Sequence, residues 1–379
     1  MVAVKGRKSS SKNPPILSHE FVIQNHADII SCVAMIFVVG LMVQVTSSWA
    51  YIFIAIHHNV SIPSSTEDVI LPQKYTTGWK DACAVFFYFL ITIVMHAVLQ
   101  EYIFDKISKR LHLSKIKLSK FNESSQLITF YTLSAIWGID IIVRDNILLN
   151  FTSLWEDYPG LMSFSLKLFF VGQLAYWLHC YPELYFQRVK REEMSSRIIH
   201  ATIGLTFTLL AYFLNFQHVG VILLVLHYVG DALQHAARVT HFVDQREKAT
   251  KVAFLIANSI FVFSRVATIA LTGLVFFYGL GQIEPTLDYA TGNFNSPAIR
   301  FFSLGLIGVF QAYLLYNFVK RQIKRSRENS VPVVTKLKPK QKPKKKDAKK
   351  LPLSEDDDLP EVDQATKRNL RPRSAAKAK

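Results

Sequence analysis

Apolar residues in this chain come in runs of about 20, the length a helix needs to cross the hydrocarbon of a bilayer. Eight such runs are read, at about 29–45, 83–99, 125–142, 160–180, 198–214, 218–242, 252–278 and 297–318. A chain that is 50% hydrophobic and 13% aromatic, with its apolar residues grouped this way, is not an ordinary soluble domain. The expected fold is an all-α, polytopic bundle of eight transmembrane helices.

The sixth run constrains the bundle further. Residues 218–242 read HVGVILLVLHYVGDALQHAARVTHF, with His227, Asp231, Gln234, Arg238 and His241 inside them. At 100° per residue these five lie within about 40° of a common line, so one polar stripe marks an otherwise apolar helix. An ionised side chain at mid-bilayer costs at least roughly 3 kcal/mol. The stripe must therefore face other helices or a water-filled cavity.

The loops set an orientation. Those after runs two, four and six hold six, four and three basic residues. Those after runs one and three hold Lys74 with Lys80, and Arg144, and those after five and seven hold no Lys or Arg. The positive-inside rule then puts both termini in the cytosol, in keeping with an even number of spans. Asn59-Val60-Ser61 and Asn150-Phe151-Thr152 are sequons on the lumenal side, where Asn59 is the stronger candidate for a glycan. Asn122-Glu123-Ser124 falls on the cytosolic side and should stay unmodified.

The ends of the chain are polar. Residues 1–28 read as a cytosolic segment with no short apolar core and cleavage site, so the first span is expected to act as the targeting signal. Of the formal charge of +16, residues 321–379 carry +11, from 19 Lys+Arg and 8 Asp+Glu. The lysine- and proline-rich tail from 327 onward cannot bury a core, and disorder is expected. It can touch ribosomal RNA or anionic lipid head groups, or serve only to solubilise the chain and fix its topology. Cys32, Cys83 and Cys180 are scattered and read as free thiols.

Buried polar groups are the candidates for chemistry. His227 and Asp231 are i, i+4; His200 and His179 sit near the cytosolic ends of spans five and four. At 1.5 Å per residue, His227, Arg265 and Lys167 fall at similar depths, about 18–20 Å from the cytosolic face. Asp231 is then expected to be a counter-ion to Arg265 or Lys167, with Asn258 also in reach; catalysis is the alternative. The intramembrane polar face comprises Lys167, Gln173, His200, His227, Asp231, Gln234, Arg238, Asn258 and Arg265. No three or four ligands with the spacing of a tetrahedral zinc site can be assembled, and neither metal nor cofactor is expected. Pro182, in WLHCYPELYF, reads as the terminator of span four.

Four segments carry a family resemblance: KNPPILSHEFVIQNHADI (12–29), SKFNES (119–124), QLAYWLHCYPELYFQ (173–187) and LDYATGNFN (287–295). From about residue 8 to 327 the chain resembles the translocating chain-associated membrane proteins. These are endoplasmic reticulum proteins found beside the Sec translocation channel, where nascent chains contact them. The resemblance implies two leading transmembrane helices over 29–116 and a TLC-type domain of six helices over 117–326. Ceramide synthases share that domain and present a His-His pair, then a His-Asp pair with a further Asp three residues on. Here His200, His227 and Asp231 match, whereas Ala201 and Tyr228 stand where the paired groups would be. An acyl-transfer site needs a base and its orienting partner, and both pairs are broken.

Two functions follow as expectations. One is a non-enzymatic accessory of the translocation channel, whose partners are that channel, the ribosome–nascent chain complex, signal sequences, nascent transmembrane segments and phospholipid. The other is a TLC-type lipid enzyme or lipid carrier using His200, His227 and Asp231.

Overall fold

A computed structural model describes residues 15, 18–60, 73–243 and 247–330. The chain divides into a unit Met1–Lys324 and a unit Arg325–Lys379, of which only the helical residues 325–330 are described. The lysine-rich tail from 331, the first 14 residues and Arg246 lie outside the described residues.

The first unit is helical, with one small sheet. Helix α1 (His19–Met42) opens at Ser18, whose hydroxyl accepts from the Phe21 amide. It therefore begins well ahead of the apolar run at Ile29, and bends at Asn25, whose side chain donates to the Phe21 carbonyl. Extended Val43 separates it from the short α2 (Gln44–Ile54), which holds the aromatic fringe Trp49, Tyr51 and Phe53. Strands β1 (Asn59–Val60) and β2 (Lys74–Tyr75) follow. Next, α3 (Asp81–Leu99) runs through a π-helical turn, Gln100–Phe104, into α4 (Asp105–Leu111).

Left-handed His112 then leads to α5 (Lys115–Arg144), α6 (Ser153–Glu156) and β3 (Met162–Ser163). Four long helices follow: α7 (Phe164–Phe186), α8 (Arg191–Phe213), α9 (Gln217–Val243) and α10 (Glu247–Thr272), the last prolonged by a π-helical turn to Gly279. Finally α11 (Pro297–Ser330) starts on proline, with Ser296 Oγ accepting from the Ile299 amide, as the Ser-Pro pair suggested.

Among the described residues, seven helices are long and apolar enough to cross a membrane: α1, α3, α5, α8, α9, α10 and α11. The expected fourth span, α7, is 23 residues long but lies outside that group. Its sequence carries Lys167, Gln173, His179 and Glu183, all buried by its neighbours. A helix enclosed by others tolerates polar groups that a lipid-facing one does not. Pro182 does not terminate α7, contrary to expectation; the helix continues to Phe186. The missing proline N–H and its ring clash weaken the turn without ending it where neighbouring helices hold both sides.

Helix α9 is central, packed on α5 and α10, and half of its most apolar window is buried against 6% for peripheral α1. The core brings Tyr131 of α5 and Tyr228 of α9, both fully buried, together and onto Phe130, which in turn meets Trp177. Close approach of α7 and α8 depends on Gly204, since a Cβ there would stand 2.5 Å from the Trp177 ring.

The two ends of the bundle are tied separately. At one, β1, β2 and β3 form an antiparallel sheet, and Ser163 Oγ donates to Asp145. Tyr158 links the same end, donating to the Leu214 carbonyl and accepting from the Phe294 amide. Burial pushes its hydroxyl up to about 12. In the loop 287–295, Asp288 accepts from Thr291 Oγ1 and the Ala290 amide, which hold its carboxyl below the usual range. At the other end Arg197 pairs with Glu123 at 2.9 Å and Arg188 with Glu20.

Candidate functional site

The polar stripe of α9 meets α10 and α11. Arg265, on α10, is completely buried, with its guanidinium over the Phe261 ring. Its Nη1 lies 2.9 Å from His227 Nδ1 and donates at 3.2 Å to Gln311 Oε1 of α11. A guanidinium only donates, so Nδ1 of His227 carries the lone pair and the ring proton resides on Nε2. That nitrogen faces Asp231 Oδ2 at 3.3 Å, one turn along α9. Arg265 Nη2 stands 4.0 Å from Asp231 Oδ1. The result is a chain, Gln311–Arg265–His227–Asp231, in which a neutral imidazole bridges a cation and an anion.

Other members of the expected face sit apart from this chain. Gln234 Nε2 donates to Asn258 Oδ1 at 3.0 Å, so Asn258 partners Gln234 rather than Asp231. Gln173 accepts from the Tyr228 hydroxyl at 2.7 Å and donates to Ser134. His200 Nε2 lies 3.0 Å from the Tyr131 hydroxyl. Arg238 is half-buried and His241 is exposed against Phe254.

Lys167 does not belong to the α9 site at all. Because α7 opens at Ser163, Lys167 lies in its first turn, beneath the small sheet. Its ammonium pairs with Asp81 at 2.8 Å and donates to the His57 and Thr76 carbonyls at 2.7 and 2.6 Å. Asp81 in turn accepts from the Tyr212 hydroxyl and the Gly78 amide. The expected pairing of Lys167 with Asp231 is thus replaced by a separate buried ion pair.

His200 and His227 line one cavity with Trp177, Phe207, Phe310 and Gln311. It measures about 40 Å³, room for a few waters. Ala201 and Tyr228, which replace the paired groups, are both buried in the bundle. With its lone pair held by Arg265, His227 is not disposed as a free base.

Sequence reasoning missed Asp81, Tyr131 and Gln311. Gln311 had a signal, being an amide in mid-span, as did Asp81, placed where a lipid-facing helix has no use for an acid. Asn59, which is exposed, opens β1, while Ser61 of its sequon lies outside the described residues. Asn150, also exposed, lies in the α5–α6 loop with its amide oxygen accepting from Thr152. Asn122 is within α5. Cys32, Cys83 and Cys180 are free thiols.

Comparison with known proteins completes the description. Residues 120–320 match the TLC domain. Translocating chain-associated membrane protein 2 of Mus musculus is 42% identical over 320 residues, covering 84% of this chain and 85% of the relative. The Homo sapiens protein of that name matches to the same extent. Ceramide synthase 4 of Bos taurus is 25% identical over 209 residues, 53% of this chain and 51% of that one. The chain belongs to the translocating chain-associated membrane protein family and carries its TLC domain in the C-terminal two-thirds.

Proposed function

We propose that this protein is an accessory of the endoplasmic reticulum translocation channel, contacting nascent chains and assisting translocation of secretory proteins and insertion of membrane proteins. The observation that carries the reading is 42% identity over 84% of the chain to relatives named for translocating-chain association. Its partners are then the Sec channel, the ribosome–nascent chain complex, signal sequences and nascent transmembrane segments, with phospholipid around it. The lysine-rich tail adds a contact to ribosomal RNA. The protein is a multi-pass membrane protein with eight spans and both termini cytosolic. A segment 1–28 precedes two helices over 29–116, a six-helix TLC domain over 117–326 and the tail from 327.

The polar face of α9 supplies the means. Several half-buried polar groups, His227, Gln234 and Arg238 among them, keep a strip of the bundle hydrated within hydrocarbon. A weakly hydrophobic signal sequence passing that strip meets a smaller desolvation barrier. The test is proteoliposomes containing the channel, with and without this protein, scored by protected nascent chain. Replacing His227, Gln234 and Arg238 together with Leu should abolish help for weakly hydrophobic signals while strongly hydrophobic ones still insert. Equal insertion of weak signals by variant and native protein would sink the mechanism.

The second reading, a TLC-type lipid enzyme or carrier, draws on one observation: His200 and His227 face a common cavity. Against it stand Ala201, Tyr228 and the Arg265 contact that occupies the His227 lone pair. The cavity would also have to open to admit an acyl chain. An acyl-CoA-dependent product lost in His227→Ala would revive this reading.

A further inference from the structure

A second buried polar cluster lies away from the α9 stripe, where the C-terminal turns of α3 and α7 meet. His96 sits in the last turn of α3; His179 and Glu183 are i, i+4 on α7. Glu183 would have been lost to this cluster had Pro182 ended the helix. Among the described residues, one ligand atom from each of the three lies within 4.8 Å of the others.

Hydrogen bonding alone does not satisfy this cluster. His179 Nδ1 lies against the Tyr176 carbonyl, which only accepts, so Nδ1 carries the proton and Nε2 a lone pair. His96 Nδ1 stands 3.2 Å from that Nε2 and must donate to it. His96 Nε2 is then 3.1 Å from Glu183 Oε1, which asks for a proton, and 3.3 Å from the Gln187 amide nitrogen, which asks for a lone pair. The Gln187 amide cannot simply be turned over, because its oxygen accepts from Arg197 and its nitrogen donates to Glu183. A doubly protonated His96 would satisfy the carboxylate but leave the Gln187 donor facing another donor. In either case Glu183 Oε2 is buried with no partner, on a side chain 11% exposed.

We propose that His96, His179 and Glu183 hold one divalent transition-metal ion, with zinc the best match to the donor set. A cation draws on one lone pair from each imidazole and on the orphaned carboxylate oxygen at once. With His96 Nδ1 and His179 Nε2 as its nitrogens, the lone pairs no longer compete for one proton and His96 Nε2–H donates to Glu183 Oε1. Ligands 2.0–2.1 Å from a tetrahedral ion stand about 3.3 Å apart. His96 Nδ1 and His179 Nε2 are already 3.2 Å apart, and with one atom from each residue all three lie within 4.8 Å, so the carboxylate closes in by side-chain rotation on binding. Two imidazoles and one carboxylate suit zinc, with a fourth position open to water. The outer contacts also fit: a metal-binding histidine usually donates its second N–H to a carbonyl, as His179 does to Tyr176, and Gln187 steadies the carboxylate. The ion would clamp the end of α3 to α7. No redox change or bond cleavage is involved, only ligation by groups that are already deprotonated or lose a proton on binding.

The experiment uses the full chain, purified in mild detergent without a polyhistidine tag. Elemental analysis of the native protein should give about one zinc per chain. Chelator should remove it, and Zn²⁺ or Co²⁺ alone should restore one equivalent, cobalt giving the visible bands of four-coordinate geometry. His96→Gln with Glu183→Gln should bind neither ion at concentrations that saturate the native protein. Gln187→Ala should fold and bind roughly 10- to 100-fold more weakly. If the double variant does not fold, the cobalt spectrum and the Gln187→Ala affinity decide alone. Substoichiometric metal, an adventitious ion insensitive to these substitutions or an octahedral cobalt spectrum would overturn the site. Metal content is independent of translocation activity, so this result and that of the proteoliposome assay stand separately.

Discussion

At the scale of single residues, the decisive group is Asp231. It answers a guanidinium that is completely buried and whose Nε finds no hydrogen-bond partner. Asp231→Leu therefore strands a cation in the bundle, and breaking a buried pair from one side costs about 3–5 kcal/mol. Asp231→Asn keeps an acceptor for His227 Nε2–H and should cost less, visible as a smaller drop in the thermal midpoint in detergent. Asp231→Leu combined with Arg265→Leu removes both charges and should recover much of the loss. Equal midpoints for the Leu and Asn variants would show that the acid does not answer the arginine. The stripe itself was legible in the sequence, because five polar residues at helical spacing leave a helix no other face to bury. Its partners were not. A periodicity marks the face but carries nothing about which of several polar residues on other helices will be opposite it, and Gln311 and Tyr131 entered only with the packing. Lys167 was misread for a related reason: depth was counted along an uncapped run, whereas Ser163 fixes the helix start and places the lysine at the sheet.

At the scale of elements, the short sheet is held on the bundle by that lysine. Its ammonium pairs with Asp81 and donates to the His57 and Thr76 carbonyls, so it ties three separate segments together. Lys167→Met should leave Asp81 buried without its cation and destabilise the protein by about 3–5 kcal/mol. Trypsin should then cut at Lys74 or Lys80 faster than in the native protein, while cleavage at Arg197 stays unchanged. The same junction responds to acid. Burial is the main reason that His58 is held below the usual imidazole range, outweighing the attraction of Asp81; Lys167 lowers it further. The folded state thus binds fewer protons here than the unfolded one. Its contribution is intact above about pH 6.5 and lost as pH falls through the lower, folded value. Cleavage at Lys74 should accordingly rise on acidification from neutral pH in the native protein and not in His58→Asn. The helices around this junction were readable from apolar runs. The sheet was not: three two-residue strands have no period to detect, and their pairing spans residues 59 to 163.

At the scale of the whole molecule, the question is which end faces the lumen. The charge pattern puts the loops after the odd-numbered runs there. Asn59 and Asn150 belong to one end of the bundle, joined through β1, β2, β3 and the Ser163–Asp145 bond. Glu123, next to Asn122, belongs to the opposite end through its pair with Arg197. A glycan at one of the first two sites and at Asn122 in the same molecule is therefore geometrically inconsistent, so the three sequons form one test of orientation. Asn59 is exposed on the first residue of an edge strand and should be modified. Asn150 is exposed too, but its sequon hydroxyl is tied up with its own amide and with Glu156, so its occupancy should be lower. Asn122 lies in a helix with its amide oxygen buried, which disfavours modification even apart from its side of the membrane. Each asparagine changed singly to Gln, with gel mobility compared before and after glycosidase, separates these outcomes. A shift lost in Asn59→Gln and kept in Asn122→Gln is expected; a glycan on Asn122 would invert the bundle and place the basic loops and the lysine-rich tail in the lumen, away from any ribosome.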